Sequence, residues 1–156
     1  MTEPHREYLT QQKYDELTKE VKELKNVKRK EVAEALDYAR SLGDLSENAE
    51  YHEARAEQAE VEERIAKLEM ILKNATIVED RHGDHAIIGS TVTVEKKKDG
   101  TRRTFMIVGS AESDMASGKI SNRSPLGAAV LGKKKGEVFS FTSPSGPMEY
   151  SVVEVK

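Results

Sequence analysis

Ala54, Gln58, Val61, Ile65, Leu68, Leu72 and Ala75 follow one another at alternating steps of four and three residues. That spacing draws one narrow stripe along a helix, apolar everywhere but Gln58, and so narrow a stripe is buried only by a second helix alongside. A partner lies upstream. Tyr14, Leu17, Val21 and Leu24 are spaced by three, four and three; the pattern blurs at Lys28 and Glu31 and resumes around Val32, Ala35, Leu36 and Ala39. No Pro or Gly lies between Pro4 and Gly43, or between Gly43 and Gly83. Two helices of roughly 25 to 30 residues, each about 40 Å long, are therefore permitted. The short interruption GDLSEN makes antiparallel neighbours the default, zipped into a coiled-coil hairpin with GDLSEN at its free tip. A dimer built from one long continuous helix is the competing arrangement, against which Gly43 and the Asp44-x-x-Glu47 spacing both signal a break.

From residue 76 the period changes to two. The segments TIVED, IIGSTVTVEKK, RRTFMIVGS, EVFSF and YSVVEV are strand-like, with Val92 and Val94 on one parity and Thr91 and Thr93 on the other. KKDG at 97–100 supplies a hairpin turn and TSPSGP at 142–147 a looser one. Between them Ser124 can cap a short helix with Pro125 at its first position and Gly132 past its end. The fold class expected is α+β: residues 1–76 a helical hairpin, residues 77–156 a small globular domain of four or five antiparallel strands packed on that one short helix.

Charge divides the chain in the same place. Residues 1–75 carry 13 Lys and Arg against 18 Asp and Glu, whereas residues 76–156 carry 12 against 10. The overall net charge of -3 argues against a protein that grips nucleic acid by its whole field. With no Cys, disulfides, thiol nucleophiles and thiolate zinc sites are excluded. No basic-then-apolar leader opens the sequence, and no window approaches about 18 consecutive apolar residues. The expectation is an intracellular, cytoplasmic protein with no membrane association.

Several motifs dissolve on inspection. GAAVLGKK at 127–134 satisfies Gly-x4-Gly-Lys, but Lys134 stands where a phosphate loop needs Ser or Thr, and its apolar centre suits the buried face of the capped helix. His5, His52, His82 and His85 form no metal-ligand spacing and are read as surface residues. Lys25, Lys28, Arg29 and Lys30 cluster midway along the first helix. They form either a solvated face or a local patch that holds a phosphodiester backbone without reading its sequence.

The tip is the most unusual stretch. Asp44, Glu47, Glu50 and Glu53 recur at three-residue spacing. Asp44 with Glu47 can form a capping box for the second helix, and Ser46 is an alternative cap. Capping leaves unexplained why so much like charge gathers where no packing rewards it. The other reading is half a metal site, with carboxylates suited to magnesium, whose octahedral shell two side chains cannot fill.

Beyond single motifs, GDLSENAEYHEA, EERIAKLEMILKNA and GKISNRSPLGAAVLGKKKGE resemble signature segments of the Gre family of bacterial transcript-cleavage factors, in the A-type pattern. The resemblance covers essentially the whole chain, departing mildly at Val130, where Leu is usual, and Glu137, where Asp is usual. It implies an FKBP-like globular domain that docks on bacterial RNA polymerase at the rim of the secondary channel. The coiled coil would reach down that channel to the nascent RNA 3' end of a backtracked complex. Asp44 and Glu47 would share a Mg2+ site completed by the polymerase, and hydrolysis of the RNA would restart elongation. Lys25, Lys28, Arg29 and Lys30 match the position of the family's RNA contact, and Ser46 and Asn48 would shape the loop. The resemblance further implies a monomeric accessory factor without nuclease activity of its own. Two rivals from other classes are a prolyl isomerase, with Phe105, Phe139, Phe141 and Tyr150 as pocket candidates, and a non-catalytic hairpin that grips clients with its seam.

Overall fold

The computed structural model describes residues 6–79 and 83–156, so His5 and His82 lie outside the described residues. Two compact units are present: Tyr14–Asn74, and the described part of Met1–Lys13 together with Ala75–Lys156. The N-terminal segment therefore packs with the globular unit, whereas the sequence assigned all of residues 1–76 to the hairpin. The cause is a strand too short to display a period. β1 (Glu7–Leu9) pairs in parallel with β2 (Ala75–Ile77), aligning Leu9 with Ile77.

In the helical unit, α1 (Gln11–Glu23), a π-helical turn (Leu24–Lys28) and α2 (Arg29–Ser41) run without a gap, and α3 (Ala49–Lys73) returns antiparallel to them. Val32, Leu36, Ala54, Val61 and Ile65 form the core of this unit, with Leu24 and Tyr51 packed against it. Heptad steps from Leu24 would place the seam at positions 28, 31, 35 and 38. The buried residues are instead Val32, Leu36 and Ala39, each one residue late. A π turn holds one residue more than the α-helical turn it replaces, so Leu24–Lys28 absorbs the offset and returns the seam to α3. Ala35, read from the sequence as part of the seam, is consequently exposed, and Val27 within the turn is 49% exposed. On α3 the stripe is regular through Leu72, and Ala75 belongs to β2.

The globular unit is built on β3 (Thr91–Lys96), β4 (Arg102–Val108), β5 (Lys119–Ser121), β6 (Val138–Ser143) and β7 (Gly146–Val155). Their order is β5-β4-β3-β7-β6. The all-antiparallel sheet expected from the sequence is in fact mixed, because β5 pairs in parallel with β4. Both strands that the sequence did not reveal, β1 and β5, are three residues long, and both make the parallel pairings. Val92 and Val94 point into the core with Phe105, Ile107, Tyr150 and Val152, on the parity expected from their alternation. The register shifts between Thr93, opposite Glu154, and Val94, opposite Val152, which leaves Val153 as an extra residue that bends β7 against β3. Helix α4 (Pro125–Val130) begins as its sequence dictates: Pro125 occupies the first turn and Ser124 Oγ accepts the Gly127 N–H at 3.1 Å. Val130 is fully buried, which disposes of GAAVLGKK as a phosphate loop.

Candidate functional site

Helix α2 ends where the Leu42 N–H donates to the Ala39 carbonyl at 3.2 Å and the Gly43 N–H to the Arg40 carbonyl at 3.4 Å, and Gly43 takes φ 116°, a conformation L side chains rarely adopt. The five residues that follow do not form the capping box. Asp44 Oδ1 turns onto its own loop, accepting from the Ser46 N–H at 3.0 Å and from Ser46 Oγ at 2.9 Å. The cap of α3 is Asn48, whose Oδ1 accepts the Tyr51 N–H at 3.0 Å. Asn48 has a second contact: its Nδ2 donates to the Ala39 carbonyl at 2.6 Å, across to the last turn of α2. One side chain thus starts one helix and ties it to the end of the other.

With capping assigned to Asn48, both tip acids are released for other work. Asp44 and Glu47 are exposed. The Ser46 N–H and hydroxyl hold the Asp44 carboxyl below the usual carboxylate range, so it is ionised at neutral pH. Glu47 has no hydrogen-bond or ion-pair partner among the described residues. Glu50 lies in the first turn of α3 and Glu53 beyond it, both exposed. His52, read as an uninvolved surface residue, places Nε2 3.3 Å from the Ser46 carbonyl and its ring 5.7 Å from Tyr51 in an edge-on contact. Among the described residues no three His, Asp or Glu side chains gather closely enough to hold a metal ion.

The basic cluster is occupied. Lys25 pairs with Glu69, and Lys28 with Glu57 at 2.6 Å and Glu31 at 3.6 Å. Arg29 makes two hydrogen bonds to Glu62, at 2.6 and 2.7 Å. Those partners raise the Lys28 and Arg29 pKa values, Glu57 and Glu62 being the first cause in each case. Lys30 alone of the four has no partner among the described residues. The sequence could not announce this pairing, because Glu57, Glu62 and Glu69 face the cluster only once the hairpin is closed.

The globular unit contains a cavity of about 470 Å3 lined in part by Phe105, Phe141, Tyr150, Met148 and Leu126. Phe139, the fourth ring named from the sequence, is not in its wall; it is buried and stacks on Tyr150 at 6.0 Å.

Two family descriptions together match most of the chain: "Transcription elongation factor, N-terminal" matches residues 7–77, and "Transcription elongation factor, GreA/GreB, C-term" matches residues 81–156. The chain belongs to the GreA/GreB family of transcription elongation factors. Among curated members, transcription elongation factor GreA of Bacillus cytotoxicus is 45% identical over 150 residues, covering 95% of each chain. The GreA of Clostridioides difficile is 46% identical over 157 residues, covering 99% of each. Among solved structures, GreA factor homolog 1 of Thermus thermophilus is 30% identical, with 97% of this chain and 99% of that one covered and a TM-score of 0.46. The GreA/GreB halves meet between residues 77 and 81, close to the point where the sequence changes period.

Proposed function

We propose that this member of the GreA/GreB family rescues backtracked or arrested bacterial RNA polymerase by stimulating cleavage of the nascent RNA 3' end inside the polymerase active site. The observation that carries this reading is the state of the tip: an ionised Asp44 and an unpartnered Glu47 on an exposed loop, relieved of capping by Asn48. Carboxylates are hard oxygen donors that suit magnesium, and a pair of them leaves most of its octahedral shell for another molecule to complete. The residues therefore fit a shared Mg2+ site, with Asp44 and Glu47 as this chain's contribution. Magnesium held there supplies Lewis-acid stabilisation and an activated water for phosphodiester hydrolysis. The chain's own part is positional. Ser46 fixes the Asp44 carboxylate, and the paired helices carry both acids as one body.

The factor acts as a monomeric accessory protein, without nuclease activity when alone, in the cytoplasm. No helix among the described residues is long and apolar enough to cross a membrane. We read the globular unit as an FKBP-like module that docks on polymerase at the secondary channel, its apolar cavity offering a concave surface. Isomerase chemistry does not follow from that likeness, since fold does not carry activity.

The test is release of labelled RNA 3' fragments from a stalled, backtracked polymerase complex in magnesium. Cleavage by the parent, and its loss in an Asp44→Ala, Glu47→Ala variant that still folds and binds polymerase, is the expected outcome. Equal cleavage by both, or none by either, would return the tip acids to a structural role.

A further inference from the structure

Asn48 occupies an unusual position. Most N-caps end their work once a side-chain oxygen has met the N–H of the third helical residue. Here the Oδ1 of Asn48 does that for Tyr51 at 3.0 Å, while its Nδ2 reaches back nine residues to the Ala39 carbonyl at 2.6 Å. Ala39 is fully buried and sits on the seam of α2, so its carbonyl is a fixed point of the hairpin. The same carbonyl also receives the Leu42 N–H at 3.2 Å, which means the end of α2 and the start of α3 converge on one oxygen.

Everything chemically distinctive about the tip lies between these two anchors. Asp44 and Glu47 stand inside the segment that Asn48 closes, and the loop's other contacts are weak or local. Ser46 meets Asp44 two residues away, and His52 approaches the Ser46 carbonyl only at 3.3 Å. Neither connects the loop to the body of the hairpin at the α2 end. Leu42 and Leu45, which could have packed the loop down, are 52% and 39% exposed.

We infer that Asn48 is a positioning residue for the two tip carboxylates, and that its amide N–H bond to Ala39, separately from its capping oxygen, holds them in place. The inference rests on the donated half-site described above and identifies what keeps that half-site in register. Asparagine is the residue that can do both tasks at this length. Aspartate caps equally well but has no donor and would set a carboxylate against the Ala39 carbonyl; serine caps but is too short to reach.

That difference makes the two tasks separable. Asn48→Asp and Asn48→Ser are compared with the parent in the full-length protein by amide hydrogen exchange, polymerase binding and fragment release from a backtracked complex. The expected result is unchanged protection of the Tyr51 amide, because the cap survives, with exchange across residues 43–47 faster by about tenfold. Polymerase binding should be retained and cleavage lowered by on the order of tenfold to a hundredfold, in keeping with the sensitivity of positioned groups to displacement of about 1 Å. Using both variants separates the clamp from the extra negative charge that aspartate alone introduces. Unchanged loop exchange, or parental cleavage by both variants, would overturn the inference. So would loss of Tyr51 protection in both, since the bond to Ala39 would then be part of the cap and not a separate hold on the loop. If the parent itself does not cleave, the proposed function fails, and loop exchange in the two variants still decides whether the clamp exists.

Discussion

Arg29 and Glu62 face one another across the hairpin through two hydrogen bonds, Nε to Oε1 at 2.6 Å and Nη2 to Oε2 at 2.7 Å. The guanidinium holds the Glu62 carboxyl below the usual carboxylate range. With Lys25 on Glu69 and Lys28 on Glu57, three of the four cations suited to an RNA backbone are matched by acids of α3 in the free protein. RNA phosphates would have to displace carboxylates to reach them.

A triple substitution Glu57→Gln, Glu62→Gln, Glu69→Gln should therefore strengthen binding of a single-stranded RNA oligonucleotide. The logarithmic salt dependence should steepen by about 0.7 for each freed cation that reaches a phosphate. Fluorescence anisotropy across a sodium chloride series checks this, with Lys30→Ala as a second arm. No change in either affinity or slope would mean that these cations serve only to close the hairpin.

Removing Asn26, inside the π turn, should leave the hairpin folded and at least as stable. One residue fewer lets Leu24 connect to Val32, Leu36 and Ala39 by ordinary heptad steps through a continuous α-helix. Thermal melts followed by circular dichroism test it. A large drop in midpoint would show that the turn is needed for more than its extra residue.

The Asp44 carboxyl should titrate below an ordinary aspartate, and Ser46→Ala should move its midpoint up. The backbone N–H of residue 46, the largest cause, would remain, so the shift should be partial. Because the folded pKa is depressed, the order that Asp44 gives the loop is present above the unfolded carboxylate value and disappears as pH falls through the folded one. Carboxyl carbon chemical shifts followed through that acidic window provide the measurement.

Glu112 is 6% exposed and accepts from Thr10 Oγ1 at 3.0 Å, the Thr10 N–H at 3.2 Å and Lys119 Nζ at 3.3 Å. Glu112→Ala should lower stability by about 2 to 4 kcal/mol, since it strands a hydroxyl, an amide and an ammonium at once. Gly109→Ala should also be severe, because a Cβ there would lie 1.8 Å from the Tyr8 carbonyl oxygen and force β1 away. Urea unfolding of both variants supplies the magnitudes.

Much of this molecule could be read from its residues, and the failures share a physical cause. The α3 stripe and the alternation of Val92 and Val94 are properties of consecutive residues, and both appear in the structure as read. The blur at Lys28 and Glu31 was visible, but its origin needed the partner helix, which fixes the phase the seam must recover. Strands β1 and β5 span three residues each and take their geometry from the neighbours they join. At the tip, Asp44, Ser46 and Asn48 are all competent caps standing two residues apart. Of the three, Asn48 alone also donates to the carbonyl of Ala39, nine residues earlier in sequence and adjacent only after the helices close, and no local pattern displays that contact.

The parallel pairing of β1 with β2 has a consequence for how such a molecule can change. It brings residues 7–9 beside residues 75–77, so the whole hairpin leaves and re-enters the globular unit at neighbouring points. A heptad added to each arm would lengthen the hairpin by about 10.5 Å and leave every strand pairing as it is. The length of the hairpin and its attachment can thus vary independently, and that length becomes a matter of counting residues.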